Sequence, residues 1–374
     1  MKKIGPISIL HVIFLSMTVI GLKNHVTILP PLLDNAGRDS WISVLLSAVS
    51  LFPWLFLLVY IHTKTNQEPL KDWLKQKIGK VGSSIVIYSV IIFLMILAAF
   101  TMVETLQWVN ITFLSLTPFI LLLFIYVILC TLLISTNIQT IVIVNVFVLF
   151  GVVVFGFFVA FTNIQVKDHE LLRPFFEHGF QPVLKSMIYP ASGFVELMIL
   201  LFLQHHIKDR MRWYHLAIIL FILMGLTIGP LIGSITEFGP IEAAKQRYPA
   251  FEEWGLVTIG RYVEHLDFLS IYQWLTGTFI RVGFLLYVVA DLLNIAGNNK
   301  RIWQMIAPPF FFLCLSLNLL NENIFLKIKG NYILMTTFIF FFILSIFLAI
   351  IAFMSEKSSK KGKTDKQDTE SGEV

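Results

Sequence analysis

Charge is what this sequence has least of. Only 14% of its 374 residues are Asp, Glu, Lys or Arg, against about 25% in an ordinary soluble protein. So few polar groups cannot coat a water-soluble globule of this size, which makes soluble enzymes and nucleic-acid-binding domains poor candidates. Cysteine is scarce as well. Cys130 and Cys314 both lie inside apolar runs, which excludes a disulfide framework and a thiolate zinc site. There is no Gly-rich phosphate loop, no HExxH and no nucleophile elbow, so no catalytic residue, cofactor or metal is expected. What the chain has in quantity is apolar: 57% hydrophobic residues, 35 of them Phe, and a mean hydropathy of +0.80. That is the composition of a membrane protein.

A transmembrane helix needs about 20 mostly apolar residues, and ten runs qualify. They are 7–33, 41–61, 82–105, 114–134, 138–161, 184–203, 213–235, 268–295, 302–320 and 331–354. Lys2 and Lys3 precede the first run as in a signal peptide, but no small-residue cleavage site follows, and it is read as a retained helix. With the N-terminus inside, the cytoplasmic connections and tail collect 17 of the 28 Lys and Arg, the opposite side 8, and 3 fall in or beside spans. This bias predicts that both termini are cytoplasmic. Between spans two and three, Leu70, Trp73, Leu74 and Ile78 share a face behind Pro69, which predicts a helix lying along the bilayer surface. Outside, Phe251, Gly255, Ile259, Tyr262 and Leu266 recur at helical spacing and predict a half-buried cap. Residues 355–374 are Lys, Ser, Asp and Glu without apolar period, and are expected to be a disordered cytoplasmic tail whose lysines lie near anionic lipid.

Two spans carry breaks. Span one turns polar at Gly21-Leu22-Lys23-Asn24-His25 and ends on Pro30-Pro31; span six holds Tyr189-Pro190-Ala191-Ser192-Gly193. Either alone is consistent with a kinked helix whose neighbours satisfy the backbone. Together they stand at matching places in two halves, which points to an all-α fold of ten transmembrane helices, a 5+5 inverted repeat of the LeuT type with discontinuous helices one and six. No sequence identity between the halves supports the repeat independently.

Ionisable side chains within the spans are Lys23, Glu104, Glu196 and Arg281, with Asp291 near the end of span eight. Each costs about 2.5 to 3.5 kcal/mol at a helix centre, so each needs a partner or a function. Glu104 fits a solvated interfacial carboxylate, Lys23 can snorkel outward, and Glu196 with Arg281 fits a structural ion pair. His205 and His206 adjoin a basic loop and read as surface groups. The functional alternative gathers these residues into a midplane small-molecule site. Backbone at the breaks, from Gly21, Lys23 and Asn24 and from Ala191, Ser192 and Gly193 ahead of Glu196, can hold a carboxylate. Phe100, Thr101 and Glu104 line one side and Arg281, Phe284 and Tyr287 the other.

One set of motifs is more specific. Phe238-Gly239, then Tyr248-Pro249-Ala250-Phe251-Glu252, then residues 259–267 around Arg261 and Asp267, then Trp274 and Phe279-Ile280-Arg281, resembles the endospore germination permease family. These are the B subunits of Ger-type nutrient germinant receptors, within the amino acid/polyamine/organocation superfamily. Trp41-Ile42-Ser43, Glu104, Thr117-Pro118 and Gly193-Phe194-Val195-Glu196 add to the match. His265 stands where the family more usually has Arg, and the span-one break is bulkier and more charged than the family's. The resemblance implies a non-enzymatic subunit in the spore's inner membrane that works with an A subunit and a lipoprotein C subunit to detect a small nutrient. Two rival functions are an ion-coupled amino-acid transporter and a structural subunit with a vestigial pocket. Against coupling, Arg281 cannot release a proton and span five has no Lys or Arg to titrate.

Overall fold

The computed structural model describes residues 6–260, 264 and 266–370, with side chains as far as Ser355. Among the described residues the structure is helical, and the one extended pairing is a parallel bridge between Ile7 and Ile207. Eight helices are long and apolar enough to cross a membrane: Ile9–Thr27, Leu29–Thr65, Leu70–Thr112, Ile138–Val166, Phe180–His206, Trp213–Phe238, Leu266–Leu292 and Glu322–Ser355. The chain is an integral membrane protein.

Two of the ten expected spans fall short of that length. The fourth is Phe119–Ile134, of 16 residues. The ninth is divided at Ile306 into Asn299–Met305 and Ala307–Asn318. Pro308 and Pro309 account for the division, because proline has no N–H to donate and its ring crowds the preceding turn, so the helix restarts with both prolines in its first turn.

Neither expected break is an unwound segment. Gly21 and Leu22 stay in the α-helix Ile9–Leu22, the backbone widens to a π-helix over Lys23–Thr27, and an α-helix resumes at Leu29–Ala36. Pro30 and Pro31 withhold N–H groups just beyond, and Ile28 N–H reaches back to Lys23 O at 3.2 Å, the longer bond that defines the wider turn. In span six, Pro190 to Gly193 lie within the α-helix Ile188–Phe194, and the chain then tightens into a 3-10 helix over Val195–His206. Twelve residues far exceed the three or four usual for that conformation, a feature that marks hinges and strained segments. Both spans therefore change helix type where the sequence turns polar or small, and the chain stays helical through the change.

The helix Leu269–Leu292 is the hub: it packs on Ile9–Leu22, Leu70–Thr112, Phe119–Ile134 and Ile138–Thr162. Span six is its equal in burial, with 83% of its apolar window inside the protein against 22% for Ile138–Val166. The latter turns Phe147, Phe150, Phe157 and Phe161 outward, as a lipid-facing helix does.

Residues 70–78 form the short helix expected after Pro69, joined to span three through Gly79, whose φ of 76° breaks the helical path. Its apolar face is turned onto protein, since Leu70, Trp73 and Leu74 are buried in the main core. The cap is shorter than its spacing predicts. It comprises Pro240–Lys245 and Pro249–Gly255, and the helix stops at Gly255. Tyr262, like Arg261, Val263 and His265, lies outside the described residues. The cap is anchored by rings: Phe251 stacks on Trp274 at 4.3 Å and on Trp108 at 4.8 Å, and Tyr248 meets Trp274 edge-on at 4.5 Å. At the other end, the backbone of the last helix, Leu334–Glu370, continues past its apolar part.

Candidate functional site: a buried charge cluster where spans one, six and eight meet

Lys23 from the π-helical turn, Glu196 from the start of the 3-10 segment and Arg281 from the hub helix converge with side chains 4%, 0% and 2% exposed. Glu196 is held from two sides. Its Oε1 accepts from Lys23 Nζ at 2.9 Å and from Arg281 Nη2 at 3.0 Å, and its Oε2 accepts from Arg281 Nη1 at 2.7 Å. The guanidinium thus engages the carboxylate bidentately. Its Nη1 also donates to Val19 O, and its Nε donates to Thr101 Oγ1 at 3.2 Å. Lys23 Nζ makes a second bond, to Ser192 O at 2.9 Å. Two cations share one carboxylate, so the cluster carries a formal charge of +1 in a region shielded from water.

A neutral pair lies one turn away along span three. Glu104 accepts from Lys329 Nζ at 2.7 Å and from Thr27 Oγ1 at 3.1 Å, so both carboxylate oxygens are used. Lys329, one of the eight basic residues assigned above to the side opposite the termini, is buried instead. Glu104 is likewise no solvated interfacial group, and Lys23 does not snorkel: each points inward because its counter-charge is inside.

Spans one and six touch through Asn24 and Gly193. A Cβ at Gly193 would fall 1.7 Å from Asn24 Oδ1, so only glycine leaves room for the amide. Asn24 Nδ2 donates to Thr227 Oγ1 at 3.2 Å, while its Oδ1 is buried without a hydrogen-bond partner. A small cavity adjoins Glu196, lined by Ser16, Val19, Ile20, Ile199, Leu200 and Phe284, with about 10 Å³ of space, enough for one water.

The thirteen residues expected to form the site are not one constellation. Lys23, Thr101, Ser192 through its carbonyl, Glu196 and Arg281 are in mutual contact, and Phe284 lines the cavity beside them. Asn24 and Gly193 form the adjoining contact, with Ala191 buried next to it. Glu104 belongs to the neighbouring pair. Phe100 stacks on Phe325 at 5.3 Å, Gly21 gives room to Leu226, and Tyr287 lies toward the far end of the hub, with its ring 6.1 Å from that of His206. Sequence reasoning missed Lys329, whose one signal is a lysine at the start of an apolar run. It also missed the acids Glu237 and Glu253, linked by Asn163 Nδ2, which donates to the Glu237 carboxylate and to the Glu253 main-chain carbonyl.

Residues 3–324 match the protein family described as "Spore germination protein". The chain belongs to that family. It is 42% identical over 281 residues to "Spore germination protein XB" of Bacillus anthracis, covering 75% of this chain and 79% of the relative. It is 23% identical over 319 residues to "Spore germination protein A2" of Bacillus subtilis (strain 168), covering 83% and 87%. In this spore germination protein the motifs behind the resemblance divide by role. Gly239, with φ of 80°, ends the helix Trp213–Phe238, Tyr248, Phe251 and Trp274 seat the cap, and Glu196 and Arg281 are the buried ion pair.

Proposed function

We propose that this germination-related membrane protein is the nutrient-sensing subunit of a germinant receptor. It binds a small molecule such as an amino acid at the Lys23–Glu196–Arg281 cluster and signals through contacts with A and C subunits. In this reading it resides in the spore's inner membrane with both termini cytoplasmic. It crosses ten times, in two inverted halves, with Phe119–Ile134 and the divided 299–318 segment completing the count.

The observation that carries the proposal is the unbalanced charge. A buried cation without a counter-charge is costly, and a ligand carboxylate supplies the missing negative charge. The cluster also lies where two spans change helix type, so a ligand that binds one arrangement better than another shifts the equilibrium between them by its differential affinity. Arginine keeps its charge throughout, which suits a sensor better than a site that must release a proton on each cycle.

One observation favours a second reading. A cavity of about 10 Å³ does not hold an amino acid without movement, as in a structural subunit with a vestigial pocket. The experiment that decides is equilibrium binding of single amino acids to the purified full-length protein in lipid nanodiscs, paired with uptake by the reconstituted protein. We expect saturable binding, no gradient-driven accumulation, and affinity weakened at least about tenfold in Arg281→Lys, since a lysine cannot reproduce the bidentate fork. Concentrative uptake would establish a transporter. No binding of any amino acid would leave the vestigial pocket.

A further inference from the structure

Away from the charge cluster, the 3-10 segment of span six ends in His205 and His206, and the hub helix ends nearby with Asp291. His205 Nε2 lies 3.2 Å from Asp291 Oδ2, and His206 Nε2 lies 3.3 Å from Asp291 Oδ1. Taking one donor atom from each of the three residues, all lie within 4.8 Å of one another. We propose that His205, His206 and Asp291 bind a divalent transition-metal ion, zinc foremost, that ties the end of span six to the end of the hub helix.

The spacing is the first argument. Ligands about 2.0 to 2.1 Å from a tetrahedral zinc are separated by about 3.3 to 3.4 Å along each edge; here each imidazole nitrogen meets a different oxygen of Asp291, at 3.2 and 3.3 Å, so a small turn of the carboxylate brings one oxygen within reach of an ion held by both rings. Second, adjacent residues on a 3-10 helix leave it in directions about 120° apart, yet these two rings sit with centroids 4.0 Å apart, both turned toward one carboxylate. His205 Nδ1 is buried without a hydrogen-bond partner, so that ring takes its orientation from the Asp291 side. Third, a cavity of about 90 Å³ opens beside His205 and Asp291, room for the water ligands that would complete a three-residue site. Lys71 and Asp72 share its wall, and Lys71 Nζ donates to Leu292 O at 2.6 Å.

The donor set selects the ion. Two imidazoles and one carboxylate suit zinc, cobalt and their neighbours, whereas calcium and magnesium favour sites built wholly from oxygen. The ligands come from two separate helices, and Lys71 brings the short helix 70–78 to the same place. Occupancy would fasten the end of span six to the end of the hub helix, beside the short helix 70–78.

The test is titration of the full-length protein, purified without a histidine tag and stripped with EDTA, using Co²⁺ followed by visible absorption and then Zn²⁺ in competition. One ion per chain is expected, with cobalt displaced by zinc. The melting temperature should rise with Zn²⁺, fall back with EDTA and ignore Mg²⁺. The paired substitution His205→Gln and His206→Gln should abolish both effects, and His178→Gln, at an exposed histidine, should leave them intact. The wild-type titration decides even if the paired variant misfolds. Absence of stoichiometric cobalt and zinc uptake overturns the proposal, as does an unchanged spectrum in a folded paired variant.

Discussion

The cluster around Glu196 and the acid cluster at the cap are opposites in charge and in completeness. Around Glu196, two cations hold one carboxylate, and both of its oxygens are engaged. At the cap, two acids share one lysine. Glu237 accepts from Asn163 Nδ2 at 2.9 Å and has Lys167 Nζ 3.5 Å away, while Glu253 meets Ser234 Oγ at 2.8 Å. Glu237 Oε1 and Asn163 Oδ1 are buried without hydrogen-bond partners. Ser234 Oγ is also 2.7 Å from Pro230 O, and a hydroxyl has one proton to give. If it goes to Pro230 O, Glu253 must be the donor in its own contact and therefore protonated. Burial pushes Glu253 well above the usual carboxylate range, and the charge of Glu237 pushes the same way, against the weaker pull of Ser234 and Lys167. Excess buried cations call for an anion; excess buried acids are neutralised by a proton.

The largest expected effect tests the interior half of this contrast. Glu196→Ala leaves Lys23 and Arg281 buried beside each other with no counter-charge, and should cost about 3 to 5 kcal/mol, read as a fall in the melting temperature of the purified protein. A loss below about 1 kcal/mol would mean that water or lipid headgroups already neutralise the cluster.

Gly193→Ala should cost about 1 to 3 kcal/mol, because the added methyl displaces Asn24 from Thr227. Adding Asn24→Ala should recover part of the loss. No recovery would place the strain elsewhere in span six.

The smallest effect tests the acid half. A raised carboxyl pKa means that the folded chain holds a proton the unfolded chain releases. The stability it provides is full below the unfolded value of about 4.5 and declines as pH rises toward the raised value. Glu253→Gln, which mimics the protonated acid, should change stability by less than about 1 kcal/mol at acidic pH and flatten that decline, measured as melting temperature against pH. An unaltered slope would assign the titration to Glu237.

Much of this was readable from particular residues. The apolar runs located the long helices, and Gly21 to His25 and Tyr189 to Gly193 marked the two places where span geometry changes. Pro308 and Pro309 could have warned that span nine divides. The form of each break was not readable, because whether a chain unwinds, widens or tightens depends on which neighbours accept the freed groups. Nor was Lys329, since an apolar run with one lysine looks the same whether that lysine reaches water or a carboxylate on another helix.

By itself the sequence determined that this chain lives in a membrane, that it is helical, and that it resembles the germination permeases, because these follow from composition, period and local motifs. Only the tertiary structure decided which charges are partners. Lys23, Glu196 and Arg281 are separated by 173 and 85 residues, and no local rule links them. They meet because a buried charge is tolerated only where packing brings its opposite within about 3 Å.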